Sequence, residues 1–237
     1  MTALDHLREL RKRLLVCLGV LLAFLLVGMG YAPVLTRLLL GLGEQYQYQF
    51  VYISPEELLL EYLTVDLTAA IFLTLPVLLY EIWRFLRPGL KEGERRPVLA
   101  AILLGTVFGA LGMLFAYRIL IPFTLRFLIS LSENSGIHPL ISVRNYISFV
   151  LTMLLVFAFL FELPVMAMLL TRFGILKTAA MKRFRKAFIP VVFLVAAVIT
   201  PPDVISQVIV AIPLLLLYEL SILLCTWLEK IHGPSAG

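Results

Sequence analysis

Charge is scarce in this chain. Asp, Glu, Lys and Arg make up 15% of its 237 residues, where a soluble domain carries about 25%. Cysteine is nearly absent. Cys17 and Cys225 stand in apolar runs, with neither metal-ligand spacing nor the look of a disulfide framework, and both read as small core residues. Histidine is confined to His6, His138 and His232, scattered over the termini and one loop. No convergent metal site or triad is therefore expected. There is no Gly-rich phosphate loop, no His-Glu-x-x-His and no Gly-x-Ser-x-Gly elbow. The expectation is a protein that is not an enzyme and needs no cofactor.

What is present is apolar surface. The apolar fraction is 61% and the mean hydropathy +1.00, above the roughly 45–50% of soluble domains. Disorder is excluded, because it requires low hydrophobicity and high charge. The composition defines an all-α polytopic membrane protein. Charge-poor runs at 14–32, 67–83, 98–121, 146–170, 187–199 and 204–227 each read as a transmembrane helix. Lipid offers the backbone no partners, so only helices or closed barrels span it, and the ten-residue alternation of a barrel is missing. Residues 1–237 read as a single six-helix domain. The fifth run is 13 residues long, about 20 Å of helix against a hydrocarbon core of about 30 Å. The sixth opens with Ser206 and Gln207. The last two helices are therefore expected to be short.

Lys and Arg are unevenly shared between the connecting segments. Alternate segments carry sixteen on one side and four on the other, which predicts both termini in the cytoplasm. The net charge of +5 then reflects cytoplasmic loops, and no nucleic acid partner is implied. The basic N-terminus resembles a signal peptide, but its apolar run is long and no cleavage site follows. It reads as a retained first helix.

Between the first two spans, Tyr46, Tyr48, Phe50 and Tyr52 alternate with Gln45, Gln47 and Gln49. This period predicts an extended segment with one aromatic face, at the headgroup level. Ser54-Pro55-Glu56-Glu57 predicts the start of a short helix leading into span two. Pro76, Pro122, Pro164, Pro190 and Pro213 predict kinks, and so curved helices around a concavity.

The informative residues are acids near or inside apolar runs. Glu162, in Phe161-Glu162-Leu163-Pro164, lies well inside span four, where an ionised group costs at least about 2.5–3.5 kcal/mol. It is expected to face a polar cavity or the protein interior, as a polar contact, a proton-sensitive group or a link between helices. Glu81 and Glu219 each follow a tyrosine near a span end, and interfacial anchoring suffices for them. Glu9 stands in the basic, amphipathic segment Asp5–Arg13, and Glu94 stands among Lys91, Arg95 and Arg96. Such charge runs are ordinarily solvated faces. Together, however, the two carboxylates would suit a pair of guanidiniums, which carboxylates bind bidentately. In Thr200-Pro201-Pro202-Asp203, prolines end one helix and Asp203 caps the next, with Gln207 one turn later.

These segments resemble the TatC family, the multispanning subunits of the twin-arginine protein translocase. The resemblance rests on His6-Leu7-x-Glu9-Leu10-Arg11-x-Arg13, Ser54-Pro55, Pro76-Val77-Leu78-Leu79-Tyr80-x-x-Trp83-x-Phe85 and Pro88-Gly89-Leu90-x-x-x-Glu94. It continues through Tyr146-Ile147-Ser148-Phe149, Phe161-Glu162-Leu163-Pro164, Thr200-Pro201-Pro202-Asp203-x-x-Ser206-Gln207 and Ala211-Ile212-Pro213-x-x-x-x-Tyr218-Glu219. It implies a glove-like bundle in the inner membrane that binds signal peptides with two consecutive arginines. The implied site is Glu9 and Glu94, with Leu10, Arg11, Phe85 and Pro88 nearby. Glu162 matches an intramembrane glutamate facing the hollow. The implied partners are folded cargo proteins and single-span TatA/TatB-type subunits, in a multimeric complex within lipid, driven by the proton-motive force. Glu162 alone also fits a proton-coupled small-solute transporter, but the inverted repeats of such proteins are not evident.

Overall fold

The computed structural model describes residues 3–46, 48–86, 92–133, 140–199 and 204–232, with the side chains of 3–7, 86, 92–94, 131–133, 199 and 231–232 outside that description. In order, the elements are α1 (Ala3–Gly28), α2 (Ala32–Glu44), β1 (Gln49–Val51), α3 (Glu57–Leu86) and α4 (Glu92–Phe115). A π-helical turn (Ala116–Leu120) then leads into α5 (Ile121–Glu133), followed by β2 (Leu140–Ser142), α6 (Val143–Arg172), α7 (Thr178–Ile199) and α8 (Val204–His232). The predicted apolar runs fall on α1, α3, α4, α6, α7 and α8. Glu57–Phe85, Arg95–Ser130, Val143–Arg172 and Val204–Lys230 are each long and apolar enough to cross a membrane. A fifth crossing is added if α1 and α2 together form one broken span.

Several boundaries differ from the sequence expectation. The first helix stops at Gly28, and the chain bends by 76° into α2. That second helix went unread because its 13 residues are too few to span and Arg37 interrupts them. The short helix expected before span two is continuous with it, as α3 has 30 residues. The third run is extended by α5, and the π-helical turn directly precedes Pro122. A proline leaves the carbonyl four residues earlier without its donor, and a widened turn is one way a helix absorbs such a defect. The final helix is not short: α8 has 29 residues, about 43 Å. The apolar part of α7 is short, because its first two turns carry the exposed Lys182, Arg183, Arg185 and Lys186.

The chain forms two compact units, 1–106 with 138–151 and 107–137 with 152–237. In the first, α1 and α3 pack antiparallel. Gly28 meets Asp66 and Arg13 meets Glu81, so fifteen residues back along α1 match fifteen residues forward along α3. The outer connection is closed by a carboxylate. Glu57, the first residue of α3, accepts the backbone N–H groups of Ile53 (2.7 Å) and Arg144 (3.0 Å) and the Ser142 hydroxyl (2.5 Å). This holds β1 beside β2 as a parallel pair, with Phe50 opposite Ile141. Two aromatics of the extended segment, Tyr48 and Phe50, turn toward protein, while Tyr52 is exposed. Tyr48 is buried, which pushes its phenol up to about 12. Phe50 packs on the Tyr146 ring at 4.7 Å, and the Tyr146 hydroxyl donates to the Leu39 carbonyl (2.9 Å).

In the second unit a close approach of α4 to α6 depends on glycine. A Cβ on Gly112 would collide with the Phe157 carbonyl. Next to it, Phe115 lies against Phe157 and Phe161 at 5.8 and 5.5 Å. The α7–α8 pair is joined by the stacked rings of Phe188 and Tyr218 (3.9 Å) and by the Tyr218 hydroxyl donating to the Met181 carbonyl (2.8 Å). The Glu229 carboxylate accepts the first backbone N–H of α7, from Thr178 (3.0 Å).

Replacing Glu57 by Ala leaves two backbone donors and one hydroxyl without their acceptor. The expected loss is about 2–4 kcal/mol, read as a lower Tm in detergent and faster proteolysis within 45–56. Gly112→Val is expected to lower Tm as well, by forcing α4 away from α6.

Candidate functional site: a guanidinium held between two carboxylates

The N-terminal helix and the end of α3 form a polar cluster at one end of the α1–α3 pair. The Arg13 guanidinium pairs with Glu9 one turn before it and with Glu81 on α3 (2.9 Å). Arg84 lies 3.9 Å from the other oxygen of Glu81. The Arg13 and Glu81 side chains are 14% and 10% exposed and that of Glu9 is 26% exposed, so Glu9 is the carboxylate that solvent reaches most. Partly buried charges need such pairing, because desolvation is otherwise uncompensated.

An apolar cavity of about 160 Å³ lies beside this cluster, lined by Leu10, Leu14, Cys17, Leu78, Ile82 and Phe85 together with Arg13 and Glu81. Leu10 is half-exposed at its rim and Arg11 is exposed. The Trp83 indole N–H donates to the Arg95 carbonyl (3.3 Å), which ties the end of α3 to the first turn of α4. Leu10 and Phe85 thus line one cavity, and Glu9 is joined to it through Arg13. Pro88 and the side chain of Glu94 lie outside the described residues.

Glu81 has a larger role than interfacial anchoring, since it shares Arg13 with Glu9. Its partner is 68 residues away, and no local pattern marks such a pairing. The available signal was an acid at the lip of one span and a basic residue at the lip of its neighbour. Glu219 is likewise paired, with Arg185 at 2.6 Å.

Glu162 stands on α6 in the second unit, and its Oε1 lies 3.5 Å from where a Cβ on Gly109 of α4 would stand. It is partly exposed, and Pro164 beyond it is buried. Gln207 sits in the first turn of α8 and is partly exposed. Pro201, Pro202 and Asp203 lie outside the described residues. Both cysteines are free and buried. No group of His, Cys, Asp and Glu able to hold a metal occurs among the described residues.

Long apolar helices, with a cluster of paired charges where two of them end, define a multi-pass helical membrane protein. The family follows from comparison. Residues 5–213 match the profile of the Sec-independent protein translocase protein TatC. TatC of Halalkalibacterium halodurans is 37% identical over 222 residues, covering 94% of this chain and 88% of that protein. TatC of Aquifex aeolicus is 37% identical over 227 residues, covering 93% and 92%. A crystal structure of the twin-arginine translocase receptor TatC superposes with a TM-score of 0.83 at 35% identity, covering 94% of this chain and 99% of that one. A second, of that receptor in DDM, gives 0.77 at 36% identity, covering 92% and 98%. The chain belongs to the TatC family and is a Sec-independent protein translocase subunit.

Removing the shared cation tests the cluster. Arg13→Gln leaves Glu9 and Glu81 without the cation they share, and only the more exposed Arg84 remains near Glu81. It is expected to cost more stability than the double variant Arg13→Gln/Glu81→Gln, as measured by thermal unfolding in detergent.

Proposed function

We propose that the cluster at the ends of α1 and α3 receives the paired arginines of a twin-arginine signal peptide. The observation that carries this reading is the Arg13 guanidinium between Glu9 and Glu81. The face already binds the chemical group that an incoming signal would bring. Glu9 is the more exposed carboxylate, so one ligand arginine takes Glu9 while Arg13 retains Glu81. Glu94 takes the second arginine. The cavity lined by Leu10 and Phe85 accepts apolar residues that follow the arginines, and Arg11 borders the same face; Pro88 joins the site on the family resemblance. Lysine would bind less well, because an ammonium lacks the planar fork that matches a carboxylate.

The Lys and Arg asymmetry supports an orientation with both termini in the cytoplasm, which puts this face where cargo is made, in the inner membrane. Single-span TatA/TatB-type subunits complete the complex within the lipid, and the proton-motive force drives export. Glu162 serves as an intramembrane polar site in that assembly. Pro201, Pro202 and Asp203, between α7 and α8, and the nearby Gln207 have a structural role.

Binding of a labelled twin-arginine peptide to the detergent-purified protein is expected to weaken about ten- to hundredfold in Glu9→Gln and Glu94→Gln. That is the loss of one charged hydrogen bond, about 1.5–3 kcal/mol. A Lys-Lys peptide should bind as weakly to wild type. Equal affinity of both peptides for all three proteins would overturn the site. Glu162→Gln is expected to keep peptide affinity and lower export. Cysteine placed at Met29 should react with an impermeant thiol reagent from outside intact cells.

A further inference from the structure

The opposite end of the α1–α3 pair carries an acid that the signal-peptide face does not use. Asp66 lies in the apolar part of α3 and is 1% exposed. Neither carboxyl oxygen has a hydrogen-bond partner among the described residues. Its Oδ1 occupies the space that a side chain at position 28 would fill, so glycine there is what lets the carboxyl in. Gly28 is the last residue of α1, and immediately beyond it the chain bends by 76° into α2.

The surroundings disfavour a charge in two independent ways. A buried carboxylate with no donor is unstable, whereas the neutral acid is tolerated. The C-terminus of a helix also carries the negative end of its dipole, and α1 presents that end to Asp66. No countercharge stands opposite among the described residues. On α1, residues 14–31 contain no charged side chain. On α2, Thr36 is buried with an unpartnered hydroxyl and Arg37 is exposed. On α3 itself, Glu61 projects about 140° away around the helix and Glu57 is committed to Ile53, Ser142 and Arg144. An acid retained in such a place is a functional residue by default.

We propose that Asp66 is a proton-binding latch. With its proton it packs as a neutral group against Gly28 and locks the end of α1 onto α3. When it loses the proton, the buried charge must find water, and the contact that fixes the bend into α2 opens. The ligand is a proton. The latch is independent of the signal-peptide face, since Arg13 and Gly28 are about 22 Å apart along α1.

The test uses the full chain in lipid nanodiscs. Spin labels at Met29 and Leu67, both well exposed, report the end of the pair. The buried native thiols stay out of the labelling. Wild type is expected to show a longer Met29–Leu67 distance, by several ångströms, as pH rises. The isosteric Asp66→Asn is expected to keep the short distance at every pH. A second pair at Leu14 and Ile82 should not move in either protein. A wild-type distance that ignores pH, or a transition that persists in Asp66→Asn, would overturn the latch. A second measurement covers poor folding of the variant. The chain has three aspartates, Asp5, Asp66 and Asp203, so infrared spectra with carbon-labelled aspartate resolve a protonated carboxyl directly. A carboxylic acid C=O band is expected in wild type at neutral pH and lost at high pH. Absence of that band at neutral pH would equally overturn the proposal.

Discussion

A carboxylate taken out of water must find donors, find a cation or stay protonated, and this constraint organises the chain. Three acids of α3 show the three solutions. Glu57 takes donors, two backbone N–H groups and a hydroxyl, and in doing so ties the outer connection together. Glu81 takes a cation, Arg13, which it shares with Glu9. Asp66 has neither. All three stand on one helix because α3 supplies the partner surface for α1 and for the strand that follows α2. Each solution also determines what its region can do. The donor-rich site is structural, the shared cation underlies the proposed signal-peptide site, and the unpartnered acid is the proposed proton latch.

Backbone approach is the second constraint. With no hydrophobic force between helices in lipid, packing depends on small residues that let main chains come close. Gly28 admits the Asp66 carboxyl, and Gly112 admits the Phe157 carbonyl. At both places a methyl group would meet an oxygen atom, so the geometry is bound to the missing side chain. Prolines act in the other direction. Pro76, Pro164, Pro190 and Pro213 lie inside α3, α6, α7 and α8, and each removes a backbone donor from a helix that continues through it.

The proposed signal-peptide site combines both constraints. Its charges are grouped where helices leave the apolar region, and its cavity lies one turn deeper. An internal arginine neutralises the acids while no ligand is present, so the site is held in place without uncompensated charge. In the proposed binding mode a ligand guanidinium exchanges one arginine for another at Glu9, so no isolated charge is exposed. That arrangement suits a receptor that must stay folded while empty.

The helical class, the places of the long apolar helices and the division of basic residues were legible in the sequence. Each rests on local quantities: the length of an apolar run, its spacing and its flanking charges. The ordered motifs carried the family assignment in the same way. The break after Gly28, the pairing of β1 with β2, the inward turn of Tyr48 and the sharing of Arg13 by Glu9 and Glu81 were decided only by tertiary structure. Their partners lie up to about ninety residues apart, and no local period encodes which surfaces meet. Asp66 shows the division clearly. Its sequence position marked an acid within an apolar stretch, but its burial against Gly28 at a bend exists only once α1 has folded back along α3.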